Sequence, residues 1–193
     1  MKVVLATNNS HKVKEIREIL GDKLGETLTL KEAGVFSDPE ENGADFTQNA
    51  LIKARAVCRL TSLPALSDDS GLCVDALGGA PGIYSSRYSG GDSCDNIALL
   101  LDNLNKAEEA GNPDRTAHFS CAVALVFPDG REITAEGRTY GYITRSSFGN
   151  GGFGYDPVFY SSELGKTFAA ASEEEKNSVS HRSRALRALE AKL

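Results

Sequence analysis

The chain has 193 residues, 40% of them apolar, and a formal net charge of −6; this is length enough for one sizeable domain or one domain with two lobes. No apolar run approaches the roughly 18–20 residues that span a bilayer, and the acidic balance excludes a large nucleic-acid footprint, which needs a basic face. Met1-Lys2-Val3 runs straight into a strand-like segment with no signal-peptide architecture, so a cytoplasmic protein is expected. Cys58, Cys73, Cys94 and Cys121 form no C-x-x-C pair and stand at no zinc-ligand spacing from a histidine, which reads as reduced thiols.

Residues 2–6 read as a strand, and 10–20 as a helix with Val13, Ile16 and Leu20 on one face. Residues 27–36 alternate weakly and predict a second strand. A helix is predicted over 44–61, with Phe46, Ala50, Ala54, Val57 and Cys58 at helical spacing. Pro64 to Ser67 reads as a short strand that stops at Asp68-Asp69-Ser70, and 92–109 as a helix carrying Ile97, Leu100, Leu101 and Leu104. Phe119–Phe127 and Glu132–Thr144 are strand-like, joined by the turn sequence Pro128-Asp129-Gly130. The stretch 180–193 is helical, with Leu186 and Leu189 inward. There is no internal repeat and no low-complexity linker. The order implies a single α/β domain over 1–193: a mixed sheet covered by helices, an antiparallel lobe near 116–145, and a ligand cleft between lobes.

Five groups of residues carry chemistry. The first-turn cations His11, Lys12 and Lys14 sit where the helix dipole disfavours them. The polar run Thr7-Asn8-Asn9-Ser10 before them reads either as a helix cap with solvated lysines or as an anion site of backbone N–H groups and cations; no Walker A sequence is present. Asp68-Asp69-Ser70-Gly71 reads as a plain turn or as carboxylates that hold Mg²⁺ and orient water, with Glu40-Glu41 able to add a second acid. Asn49 and Lys53, at i and i+4 beside an apolar stripe, need a partner that an anion or a carboxylate would supply equally. Phe148 to Pro157 contains a literal G-x-G-x-x-G, Gly149 to Gly154, but Tyr155-Asp156-Pro157 cannot open the helix a dinucleotide site requires. It reads as a packed aromatic turn or as backbone laid against a flat ring. Ser172 with Glu175 fits a capping box, and Ser180 as a cap would put His181 and Arg182 in the first turn of the last helix. Several cations, carboxylates and an aromatic glycine loop together fit a nucleoside triphosphate with Mg²⁺.

The same residues carry a resemblance that covers nearly the whole chain. Its carriers are Thr7-Asn8-Asn9-x-x-Lys12, Asn49-Ala50-x-x-Lys53-Ala54, Asp68-Asp69-Ser70-Gly71-Leu72, the run LGGAPGIYS from Leu77 to Ser85, the run GFGYDP from Gly152 to Pro157, and Glu175-Lys176-Asn177 with Ser180-His181-Arg182. The chain resembles the inosine triphosphate pyrophosphatase family, with Asn8 standing where many relatives have glycine. The resemblance implies a curved mixed sheet flanked by helices, two lobes with the site in the cleft between them, and a homodimer. It implies hydrolysis of non-standard purine nucleoside triphosphates (dITP, ITP, XTP) to the monophosphate and pyrophosphate. It also implies Asp69 as proton acceptor and Mg²⁺ ligand, and Glu40 as the other metal carboxylate with Glu41 close behind. Thr7, Asn8, Asn9, Ser10, His11, Lys12, Lys53, Ser70 and Lys176 are implied on the substrate, the three lysines on its triphosphate. Phe153, Gly154, Tyr155 and Asp156, with His181 and Arg182, would frame the base. Arg182 is donor-only and is expected to pair with a 6-carbonyl, which adenine lacks. Two other readings stand beside this one: a related-fold pyrophosphatase acting on modified pyrimidine or standard triphosphates, and a non-catalytic nucleotide-binding protein.

Overall fold

The computed structural model describes all of residues Met1–Leu193. Its elements in chain order are β1 (Lys2–Leu5), α1 (Ser10–Leu20), β2 (Glu26–Thr29), α2 (Phe46–Thr61), β3 (Ala65–Val74), α3 (Ser93–Glu109), β4 (Thr116–Val126), β5 (Glu132–Ile143), β6 (Phe159–Ser161), β7 (Lys166–Thr167), α4 (Glu173–Val179) and α5 (His181–Glu190), with short 3₁₀ turns between them. The strands form one seven-stranded sheet in the order β2-β1-β3-β4-β5-β6-β7. It is mixed: β1 runs parallel to β2 and β3, whereas β6 is antiparallel to β5 and β7. The fold is therefore α/β with an open mixed sheet, as the alternation of strands and helices implied. Two compact units are distinguished. Unit 1 comprises Met1–Asp69, Cys121–Gly137 and His181–Leu193, and unit 2 comprises Ser70–Ser120 and Arg138–Ser180.

In unit 1, β1 and β4 read as unbroken apolar runs because both of their faces are covered. Val3 and Leu5 pack with Cys121, Val123 and Leu125, with Ile16 and Leu20 of α1, and with Ala185, Leu186 and Leu189 of α5. Val4 and Ala6 pack instead with Ala124 and Val126 and with Ala50, Ala54, Val57 and Cys58 of α2. Successive strand residues point to opposite faces, so a strand buried on both loses the apolar–polar alternation. The backbone of β5 lies directly against the start of α5: a Cβ on Gly137 would stand 2.3 Å from the His181 carbonyl oxygen and 2.4 Å from the Ala185 nitrogen. That contact sets where the first turn of α5, and hence Arg182, is held.

Unit 2 has its own core. Leu72, Val74, Phe119, Ile143 and Phe159 pack with Leu100 and Leu104 of α3 and with Phe168, and the Phe119 and Phe159 rings lie 4.7 Å apart. Along β5 from Arg138, exposed and buried residues alternate: Arg138, Tyr140 and Tyr142 face solvent, whereas Thr139, Gly141 and Ile143 are buried. This is the period of a strand with one open face.

The structure corrects several predicted boundaries. Only Glu26–Thr29 of the predicted strand 27–36 pairs in the sheet. Leu30 to Gly34 turns back on itself through Ala33 N–H to Thr29 O and Val35 N–H to Leu30 O, with Gly34 at φ 69°. The strand expected to stop at Asp68 runs on to Val74. The charges of Asp68 and Asp69 do not end it, because cations from other elements meet them inside the fold. The Ser172–Glu175 capping box forms reciprocally and opens α4. The strands β6 and β7, of three and two residues, are too short to show a period. All four cysteines are free: Cys58 and Cys121 buried, Cys73 half-buried, Cys94 exposed.

Candidate active site

In unit 1 the polar run before α1 is a helix cap. Asn9 Oδ1 accepts the backbone N–H groups of His11 and Lys12 at 2.9 and 3.2 Å, and Thr7 Oγ1 accepts that of Asn9. The lysines behind it are not both solvated. Lys14 lies near Glu18 at the surface, but Lys12 folds inward and places Nζ 3.1 Å from Asp68 Oδ2. Helical geometry aims Lys12 and Glu15, three residues apart, along one face.

Asp68 and Asp69 are neighbours on β3 and take different partners. The Asp68 side chain is fully buried. Its Oδ2 receives Lys12 and also Arg182, from Nε at 3.1 Å and Nη2 at 3.0 Å. Burial alone would raise its pKa, but Lys12, Arg182 and Lys53 outweigh it and hold the carboxyl well below the usual aspartate range. Cys121 Sγ is 4.0 Å from the same oxygen, and burial together with the Asp68 charge pushes that thiol far up. Asp69 keeps 10% of its side chain exposed. Its Oδ1 meets Lys53 Nζ at 3.3 Å and its Oδ2 accepts from Asn49 Nδ2 at 3.1 Å. Lys53 Nζ also meets Glu41 Oε1 at 3.2 Å. Burial raises Asp69 above its ordinary value, with Lys53 and Lys12 pulling the other way and Glu41 adding to the rise. Lys53 itself is raised, because Asp69, Asp68 and Glu41 overcome its burial.

Glu40 was expected as the second metal carboxylate, with Glu41 close behind. Glu40 is exposed, and Glu41 is the acid that reaches Lys53 beside Asp69. The Asn49–Lys53 pair, for which an anion and a carboxylate were both open, has a carboxylate: both side chains end on Asp69.

Arg182 was expected to frame the base. It is 1% exposed, with two donors on Asp68 and Nη1 on Glu15 Oε2. Burial opposes its charge, and Asp68 and Glu15 more than restore it, raising its pKa. The donors assigned to a base carbonyl are engaged with protein carboxylates in this structure. Glu15 is a functional candidate the sequence reading missed; its signal was the i,i+3 spacing from Lys12 on a helix whose inner face is otherwise apolar. In this cluster Lys12, Lys53 and Arg182 stand against Glu15, Glu41, Asp68 and Asp69, one carboxylate more than cations.

Unit 2 holds a second buried pair. Lys176 Nζ lies 2.7 Å from Asp156 Oδ2 and 4.6 Å from the centre of the Phe153 ring. Asp156 Oδ2 also accepts the Phe153 backbone N–H at 2.9 Å. Lys176 was expected on a triphosphate; here it fixes the Phe153–Asp156 turn by charge and by cation–π contact. Tyr155 is buried, its hydroxyl donating to Ser85 O at 2.8 Å, and burial raises its pKa. The remaining expected residues are less enclosed. Asn8 Nδ2 donates to Ser37 O, Ser10 and His11 are exposed, and Ser70 and Gly154 are half-buried. His181, beside Arg182 on α5, is buried.

The Ham1 family model matches residues 3–192. The chain is 48% identical over 193 residues to the dITP/XTP pyrophosphatase of Streptomyces avermitilis, an alignment covering 97% of this chain and 94% of that one. It is 48% identical over 191 residues to the dITP/XTP pyrophosphatase of Desulfotalea psychrophila, with 98% and 83% covered. Among solved structures it is similar to a HAM1 protein from Coxiella burnetii, with TM-score 0.89, 39% identity and 99% and 97% of the two chains covered. It is also similar to the Staphylococcus aureus Ham1 protein, with TM-score 0.86, 37% identity and the same coverage.

Proposed function

The chain belongs to the Ham1 family, and from that premise we propose that it hydrolyses non-standard purine nucleoside triphosphates (dITP, ITP and XTP) to the nucleoside monophosphate and pyrophosphate, clearing them from the nucleotide pool. The observation that carries the reading is the meeting of Lys53 with Asp69 and Glu41, beside Lys12 on Asp68. It combines cations able to neutralise a polyphosphate with a carboxylate, less deeply buried than Asp68, that is able to take a proton.

A magnesium ion fits this donor set. Asp69 and Glu41 offer hard carboxylate oxygens within 3.3 Å of one ammonium, and Glu41 raises Asp69 because two like charges are crowded there. The cluster carries one negative charge in excess. No cage of three or more metal-ligating side chains is formed, and magnesium characteristically takes one or two carboxylates and completes its shell with water and phosphate oxygens. Asp69 and Glu41 would hold it, and when bound it supplies charge neutralisation at the phosphates. Asp69 orients a water and accepts its proton as the oxygen attacks the α-phosphorus. The bond from that phosphorus to the bridging oxygen breaks, and pyrophosphate leaves with the electron pair. Lys12 and Lys53 exchange part of their pairing with Asp68 and Asp69 for phosphate oxygens, most strongly as charge builds on the leaving group. Asp68, more deeply buried and held by Arg182, keeps Lys12 aimed.

The test is product analysis with Mg²⁺ on ITP, dITP, XTP, GTP and ATP. Release of IMP and pyrophosphate, with ITP and XTP far ahead of ATP, is expected. IDP with phosphate, or equal turnover of ATP, would overturn the assignment. The protein further acts as a cytoplasmic homodimer. Support for the pairing comes from the open face of β5, where Tyr140 and Tyr142 are exposed and Tyr142 stacks on Tyr160 at 4.7 Å. Light scattering on Tyr140→Glu/Tyr142→Glu should read a monomer; an unchanged mass would reject this face.

A further inference from the structure

We propose that Asn49 is a positioning residue for the hydrolysis: a carboxamide strut that fixes the plane of the Asp69 carboxylate and ties it to the segment carrying Glu41. The inference rests on the role given to Asp69 above. Asn49 is the fourth residue of α2 and is fully buried. Its Nδ2 donates to Asp69 Oδ2 at 3.1 Å, and its Oδ1 accepts the Gly43 backbone N–H at 2.8 Å. The orientation of the carboxamide is forced. A backbone N–H can only donate, so the atom facing Gly43 must be oxygen; the nitrogen then faces Asp69, and an ionised carboxylate only accepts.

Two consequences follow for the reacting groups. Asp69 Oδ2 is occupied, so Oδ1 is the oxygen left toward Lys53, whose ammonium also meets Glu41. Gly43 lies two residues beyond Glu41, so the same amide restrains both acids, one through a side-chain bond and the other through the backbone. The fit at Gly43 is close: a Cβ there would lie 2.7 Å from Asn49 Oδ1 and 2.9 Å from the Asn49 nitrogen. A buried amide on the inner face of a helix is costly unless its polar atoms are used, and here both ends are used, one on the candidate catalytic carboxylate and the other on the Gly43 N–H.

Asn49→Ala, Gly43→Ala and the double variant provide the test. Each is measured for ITP turnover with Mg²⁺, for Mn²⁺ binding without nucleotide by electron paramagnetic resonance, and for thermal midpoint. Asn49→Ala should lower kcat roughly 10- to 100-fold, with KM for ITP changed by less than about threefold, and should weaken Mn²⁺ by about tenfold, the range for losing a group that orients a metal-binding side chain. Gly43→Ala removes nothing that touches Asp69, yet should lower kcat in the same direction by displacing the carboxamide. The double variant should lose less than the product of the two single losses, since the second change acts in part through an amide already gone, while its contacts with the Gln48 Cβ and the backbone nitrogen of residue 49 remain. Additive losses, or wild-type kcat and Mn²⁺ affinity in both folded single variants, overturn the strut. If Asn49→Ala does not fold, Gly43→Ala decides alone, a lowered kcat supporting the strut and an unchanged one overturning it. A wild-type protein that releases no pyrophosphate from ITP would overturn the activity instead, and the Mn²⁺ titrations would still decide for or against the strut.

Discussion

Replacing Arg182 with Met removes a guanidinium that serves the buried Asp68 and the half-buried Glu15. In the structure Arg182 is 1% exposed, with two donors within 3.1 Å of Asp68 Oδ2 and a third on Glu15. Met fills much of the volume, so the loss is chiefly electrostatic: Asp68 keeps Lys12, and Glu15 loses the partner it has on α5. Breaking a buried pair by deleting one partner costs about 3–5 kcal/mol. For a chain of this length each kcal/mol moves Tm by about 2–4 °C, so the midpoint at pH 7 should fall by roughly 6–20 °C. The pH dependence carries a sign. In the native protein the Asp68 carboxyl is held well below its ordinary value and stays ionised as pH falls from 7 toward 4. Without Arg182 the carboxyl keeps Lys12 and Lys53 but loses one of the cations that hold it down, so less ionised-state stabilisation remains to be lost as pH falls. The gap in Tm between variant and native protein should therefore narrow as pH is lowered from about 7 to about 2, the change falling below about 4, where ordinary aspartates begin to titrate. Calorimetry across that range is the assay. A gap that stays constant, or a loss below about 3 °C at pH 7, would refute the argument that Arg182 is held by these acids. The same preparation reports the ratio of ITP to ATP turnover: an unchanged ratio is expected from a group that holds Asp68, whereas a collapsed ratio would return Arg182 to the base.

Asp69→Asn keeps the shape and the Asn49 contact but removes the proton acceptor; kcat on ITP should fall by about 10²–10⁴, and retention of native kcat would remove Asp69 from the chemistry. Lys176→Met leaves Asp156 buried with its Phe153 N–H contact but without the Lys176 charge. A loss of about 3–5 kcal/mol in urea unfolding is expected, and a stability within experimental error of native would show the pair to be incidental. Gly137→Ala forces a methyl into the backbone of α5; about 1–3 kcal/mol of destabilisation is expected from such overpacking, with lowered ITP turnover because Arg182 moves with its helix. Native stability and turnover together would show that α5 is not seated on β5 in this way.

The helices were legible because their signals are local. An apolar stripe repeating every three to four residues and a Ser172–Glu175 capping box are properties of one segment, and α1, α2, α3 and α5 lie within a few residues of their expected bounds. Lys12 and Lys53 drew notice for a similar reason, since a cation in a first helical turn, or one at i+4 from Asn49 beside an apolar stripe, asks for a partner; Asp69 was read only as a carboxylate at a strand end. The same logic stops β3 too early, at Asp68, since nothing near it in the chain announces the cations that let it continue.

By itself, then, the sequence determined the layering of helices on a mixed sheet and the chemical character of the site, because periodicity, caps and misplaced charges are read one segment at a time. Only the tertiary structure decided who pairs with whom. Arg182 meets Asp68 across 114 residues and Glu15 across 167, and Glu41 rather than Glu40 turns toward Lys53. Asp68, enclosed by two cations, is distinguished from Asp69, left with an open edge. The physical reason is that a charge buried in a fold must be neutralised by whatever the packing brings within about 4 Å, and a linear chain does not state those distances.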